Sequence, residues 1–171
     1  MKMDYLNQDH PALKREEAKR AFAVDELVKR ATQCSHSFRI QFDASRLVRV
    51  IGEQKLLKLM PNFVLHDARP SARLYDTYAD TLDPERAEIL RELLALLPSE
   101  RYPERPLNYI KSVRFLDAGG ATILRGGDFN SFILFALPTN VRQALLSSYH
   151  DRDIPADVLE QVDVDVRRLE P

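Results

Sequence analysis

Two His-Asp pairs concentrate most of the reactive groups in this chain, His66-Asp67-Ala68-Arg69 and His150-Asp151-Arg152-Asp153. An imidazole beside a carboxylate can ligate a metal or act as base and acid, with the neighbouring arginine receiving an anion. Asp163 and Asp165 stand two apart in an alternating segment, so they share one strand face and could form half of a divalent-ion site, with no third ligand evident. Cys34-Ser35-His36 places a thiol near an imidazole, yet residues two apart do not face each other on a helix. No phosphate-binding glycine loop, H-E-x-x-H or Cys/His zinc spacing is present. The sequence therefore implies no cofactor and no metal.

Charge is distributed unevenly. Asp151, Asp153, Asp157, Glu160, Asp163, Asp165 and Glu170 stand against only Arg152, Arg167 and Arg168 near the C-terminus. The first six are the candidate partner-binding residues, because a regular acidic display orients and speeds the approach of a basic protein. Arg39, Arg46, Arg49, Lys55 and Lys58 enrich an earlier segment in positive charge, offset by Asp43 and Glu53. Without interleaved aromatics this is a weak nucleic-acid signal.

The run Ile123-Leu124-Arg125-Gly126-Gly127-Asp128-Phe129, followed by an apolar strand ending at Pro138, resembles the hairpin of the GGDEF-type diguanylate cyclases. There a Gly-Gly-Asp turn lies near nucleotide and metal. Phe129 stands where that family carries an acidic residue, and the strand Ser112 to Leu116 precedes the hairpin in place of the family's long helix. A Gly-Gly-Asp turn in a meander accounts for the same residues, and the family is not adopted. His36 with His66-Asp67 is similar in order to the ligands of HD-type phosphohydrolases, but those are all-helical and the pair here falls in an expected loop.

At 171 residues the chain is of single-domain length, residues 1–171, with 44% hydrophobic and 30% charged residues, enough for a core without staples. A net charge of −1 provides no global field for nucleic acid or an anionic membrane, although a local patch still could. The single cysteine, Cys34, excludes an internal disulfide. The N-terminal residues lack an apolar signal region and no run reaches the ~18 apolar residues of a membrane span, so a soluble, cytoplasmic protein is expected.

The elements that must position these groups are read from periodicity. Pro11 opens a helix to about Thr32, with Leu13, Ala21, Val24, Val28 and Ala31 on its inner face. Phe38 to Ile51 reads as a β-hairpin turning at Asp43-Ala44-Ser45, and Glu53 to Met60 as a short helix. Asn62 to His66 could be a further short strand. Ser71 caps a helix with Leu74, Tyr78 and Leu82 inside, Asp83-Pro84 starts another with Ile89, Leu90, Leu93 and Leu94 inside, and Pro98 ends it. Pro103 and Pro106 make an extended linker. Four of the five glycines mark the turns of a three-stranded meander between Asn108 and Pro138, whose last strand, apolar on both faces, is central. A helix capped by Thr139 or Asn140 runs to Tyr149, a helical turn follows around Pro155 to Gln161, and Val162 to Arg167 alternates as a last strand.

The fold class is thus α+β: a mainly antiparallel sheet, built from a β-hairpin, the meander and a C-terminal strand, with helices packed on it. Two functional readings follow. The first is a protein-binding module without chemistry of its own, in the manner of an immunity protein that neutralises a toxin or of a small regulator. The second is a hydrolase or nucleotidyl-type enzyme using His66, Asp67, Asp128, His150 or Asp151.

Overall fold

The computed structural model describes residues 1–64, 75–97, 99–127 and 133–165. Seven strands form one sheet in the order β3-β2-β4-β5-β6-β1-β7, and every pairing is antiparallel. The strands are β1 (Lys2–Leu6), β2 (Ser37–Phe42), β3 (Asp76–Thr81), β4 (Ile110–Leu116), β5 (Thr122–Gly127), β6 (Ile133–Phe135) and β7 (Leu159–Asp163). The helices are α1 (Pro11–Lys14), α2 (Glu17–Gln33), α3 (Ala44–Ile51), α4 (Glu53–Leu59), α5 (Pro84–Leu94) and α6 (Thr139–His150). The α+β class is as expected from sequence.

The helices share one face of the sheet. Phe38, Ile40 and Phe42 of β2 alternate inward and join Val113, Phe115, Leu124 and Phe135 from neighbouring strands. The buried stripes of α2 (Val24, Leu27, Val28, Ala31), α3 (Leu47, Ile51), α5 (Leu90, Leu93) and α6 (Leu145, Tyr149) complete this cluster. A second, much smaller cluster holds Met3 and Leu134 on the opposite face, with no helical residue among its described members. β6 is buried at all three positions and lies inside the sheet, as its two-sided apolar pattern requires.

Several elements differ from the expectation. The second arm of the hairpin is α3: Ala44, Leu47 and Ile51 recur at helical spacing, and the Asp43 side chain caps them by accepting from the Arg46 amide. Tyr78 and Leu82 belong to no helix. Tyr78 sits in β3, which pairs along its length with β2, while Ser71 and Leu74 lie outside the described residues. β3 is an edge strand with polar residues at most positions, which masks its period of two. The helix from Pro11 is two helices, broken at Arg15 and Glu16. β1 has no counterpart in the expected elements, although Met3 and Tyr5 alternate with Asp4 and Leu6. The last strand begins at Leu159, three residues earlier than Val162. Asn62 to Val64 form no strand.

The glycine turns divide. Gly120 has φ +82° and closes the β4–β5 hairpin, where Asp117 Oδ1 accepts from the amides of Gly119 and Ala121. Gly126 and Gly127 instead lie within β5, opposite Val113 and Ser112. Asp83 caps α5 and Pro84 is its first residue, as expected, but the helix ends at Leu94, with Ala95 already extended. The proline-containing linker is a packed strap. Pro106 and Leu107 are buried, and Tyr102 joins Lys55 and Glu92 through bonds of 2.7 and 2.9 Å. Pro138, with no side-chain hydrogen bond, is the N-cap of α6, so neither Thr139 nor Asn140 caps it.

Candidate functional site

The acidic residues singled out from sequence do not form one surface. Asp151 and Asp153 sit in the turn after α6, where Asp153 takes φ 54° and its amide donates to the His150 carbonyl. Asp157 lies in a 3-10 turn (Ala156–Val158), with Oδ1 3.4 Å from His10 Nε2. Glu160 and Asp163 belong to edge strand β7, opposite Tyr5 and Lys2. Three positions apart, they project to opposite faces of the sheet. Glu160 Oε1 also accepts from Asn7 Nδ2 at 2.6 Å. Asp165 follows the end of β7, so it does not share a strand face with Asp163.

His150 is exposed at the last residue of α6. His66, Asp67 and Asp128 lie outside the described residues, and with them the convergence that the enzyme reading requires. Among the described residues no group of three or more His, Cys, Asp or Glu could hold a metal ion. Cys34 is the half-buried C-cap of α2, and burial pushes its thiol upward, away from the reactive thiolate.

The basic segment also divides. Arg46 pairs with Asp43 at 3.5 Å, Lys55 with Glu92 at 2.7 Å and Lys58 with Glu85 at 3.2 Å, while Arg49 is exposed on α3. Arg39 is different. It alternates with Phe38 and Ile40, so burying those two turns it onto the face away from the helices.

Register carries this position across the sheet. Arg39 of β2 stands opposite Arg114 of β4, and Arg114 stands opposite Arg125 of β5. Residues directly opposite in antiparallel strands point to the same face, with Cβ atoms ~4.5–5.5 Å apart. Three guanidinium stems therefore rise side by side, each half-buried. The adjacent row is Gln41, Ser112 and Gly127. Ser112 Oγ donates to Gln41 Oε1 at 3.1 Å, and Gln41 Nε2 donates to Thr77 Oγ1 at 3.5 Å. Gly127 adds no side chain beside Ser112.

These residues line a cavity of about 660 Å³, to which Asn108 also contributes. At its rim the Lys111 ammonium lies 4.9 Å from the centroid of the Tyr75 ring, and Tyr75 is 42% exposed. The same face changes character toward the other edge. Leu134 follows Arg125 in the row, Tyr5 follows Leu134, and Glu160 ends it on β7. The cationic trough is thus confined to β2, β4 and β5, bounded by the small apolar cluster around Met3 and Leu134.

Such a trough can hold anions. Like charges directly opposite in a sheet repel by roughly 0.2–1 kcal/mol per pair, and a concave wall of low dielectric focuses their field on whatever enters. Sequence reasoning identified Arg39 as part of a basic segment and Arg125 as part of a glycine turn, but did not unite them with Arg114. The signal was present in β2 and β4, where Arg39 and Arg114 occupy the polar phase of an apolar alternation, whereas the consecutive buried Ile123 and Leu124 obscure it in β5. Only the register joins them.

No family model matches the chain, and no curated protein or solved structure matches it either.

Proposed function

We propose that this chain is a binding protein whose working surface is the trough of Arg39, Arg114 and Arg125, and whose ligand is a small polyanion. The observation that carries the reading is the alignment of three arginines on adjacent strands at the wall of a 660 Å³ cavity. That volume falls within the ~300–1,000 Å³ of small-molecule sites. Arginine presents a rigid fork of donors suited to carboxylate or phosphate. The sheet supplies the positioning, because neighbouring strands fix the spacing of the three stems.

Calorimetric titration of the protein with citrate, pyrophosphate and tripolyphosphate tests this. At least one of them binds, more weakly as salt rises. Arg39→Gln and Arg125→Gln each weaken it at least tenfold, the equivalent of a charge-assisted hydrogen bond of about 1.5–3 kcal/mol. Absence of binding by all three anions at low salt, or affinity indifferent to both substitutions, overturns the reading.

A second reading rests on β7. Among the described residues it is an edge strand, paired only with β1, and it carries exposed Glu160 and Asp163. An edge of this kind can accept a basic strand from a partner protein, with acidic side chains selecting the partner's charge. Partners captured in pull-downs from cell extract are lost from the Asp163→Lys/Asp165→Lys variant if this reading is right, and are retained if it is wrong.

A further inference from the structure

We infer that the polyanion is a nucleotide bearing two or more phosphates, its phosphates lying along Arg39, Arg114 and Arg125 and its base stacking at Tyr75. This rests on the anion-binding reading above and narrows it to one ligand class.

The first ground is the length of the cationic row. Strands in a sheet lie ~4.8 Å apart, so three stems on successive strands span roughly 10 Å. One compact anion cannot meet all three forks in their own planes. A chain of linked phosphoryl groups can, because it offers acceptor oxygens along its whole length to guanidinium donors on successive strands.

The second ground is the remainder of the cavity. A volume of about 660 Å³ exceeds what a bare phosphate chain fills. The wall beyond the arginines carries groups of another kind. Gln41 and Ser112 are locked to each other at 3.1 Å, which fixes the orientation of the amide. The side chain of Asn108, exposed, makes no hydrogen bond among the described residues. An amide with a free donor and acceptor suits the hydrogen-bonding edge of a base or the hydroxyls of a ribose.

The third ground is Tyr75. Large apolar side chains are exposed at few positions among the described residues, and Tyr75 is one of them, beside the cavity. Lys111 lies over its ring at 4.9 Å. An aromatic ring beside a cationic groove is the combination on which nucleobases stack, and stacking of this kind is sequence-tolerant.

The test uses the full chain and four probes: adenosine and guanosine triphosphates, tripolyphosphate, and a peptide of linked glutamates. Binding is read by calorimetry, with circular dichroism to establish that each variant is folded. The expected result is that a nucleoside triphosphate binds at least tenfold more tightly than tripolyphosphate. Tyr75→Ala then weakens the nucleotide roughly tenfold and leaves tripolyphosphate unchanged. Arg114→Gln weakens both.

Equal affinity for tripolyphosphate and the nucleotides, untouched by Tyr75→Ala, overturns the nucleotide while leaving the anion trough standing. Binding of the glutamate peptide alone does the same and assigns the trough to an acidic protein segment. If no probe binds, both readings fall together.

Discussion

Glu26 is the most consequential charged side chain in the core. Its carboxylate, 8% exposed, accepts from Arg30 Nε at 2.9 Å and from Ser148 Oγ at 3.2 Å, joining α2 to α6. Burial alone would raise its pKa, but the hydrogen bond from Arg30, with the charges of Lys29 and Arg30 and the Ser148 hydroxyl, brings it below the ordinary 4.5. A carboxylate depressed in the folded state contributes stability that is complete above its unfolded value and is lost as pH falls through the folded one. Glu26→Gln therefore flattens the acid limb. Between about pH 5 and about pH 3 the urea midpoint of the variant falls less than that of the parent chain. An unchanged acid limb would show that other carboxylates govern it. Tyr149 forms the neighbouring tie, fully buried, with its hydroxyl donating to the Ala23 carbonyl at 2.7 Å. Burial pushes its phenol far up, with the Glu26 charge adding to the effect, so it stays protonated as a donor at any ordinary pH. Tyr149→Phe keeps the ring and loses the bond, costing about 1 kcal/mol in denaturant unfolding.

At the scale of elements, Gly52 joins α3 to α4 with no intervening loop, serving as C-cap of one and N-cap of the other. Its φ of 84° and ψ of 151° lie in a region that is essentially glycine's alone. A Cβ added there meets nothing within 4 Å, so the cost of Gly52→Ala is purely backbone strain, about 1–3 kcal/mol by urea denaturation. Gly119→Ala is the control. Gly119 has no left-handed φ, and its added Cβ meets only Asp117 Oδ1 at 3.4 Å, so its effect stays within about 0.5 kcal/mol. Equal losses from the two substitutions would refute the strain argument. Gly52 also shows what was legible. The short helix after it was readable, as were the Asp83-Pro84 start of α5 and the central character of β6. The helix before it was not, because Leu47, Val48, Val50 and Ile51 satisfy a strand and a helix alike, and capping by Asp43 decides between them. Tyr78 and Leu82, four apart, imitate a helix where Tyr78 lies in edge strand β3 and Leu82 just follows it. The arginine trough was illegible for a stronger reason. Arg39 and Arg114 read singly as the wet phase of their strands and Arg125 as part of a glycine turn, and their union depends on the pairing of β2 with β4, residues far apart in sequence that skip the adjacent β3.

The whole molecule places its helices on one face of the sheet and a line of three like charges on the other. Within that line Arg39 faces Arg114 directly and Arg114 faces Arg125, and like charges placed opposite each other in a sheet repel. Arg39 sits next to edge strand β3, opposite Ala79 on that side, so its directly opposite neighbours in the row are an alanine and an arginine. A fold selected for stability alone would place an acid or a neutral residue there; a fold selected for holding an anion would not. The two demands make opposite predictions for one substitution. Arg39→Gln stabilises the ligand-free chain at low ionic strength by roughly 0.2–1 kcal/mol, because a repulsive cross-strand pair becomes neutral. The gain shrinks as salt approaches about 1 M, where the Debye length falls to ~3 Å and exposed charges no longer sense each other. In saturating polyanion the order reverses, because the parent chain gains RT ln(1 + [L]/Kd) from a ligand that the variant holds poorly. Thermal melts of the two chains at low salt, at high salt and with tripolyphosphate give all three comparisons. A variant less stable than the parent at low salt would mean that Arg39 supports the sheet, and the trough would lose its standing as a surface maintained against stability.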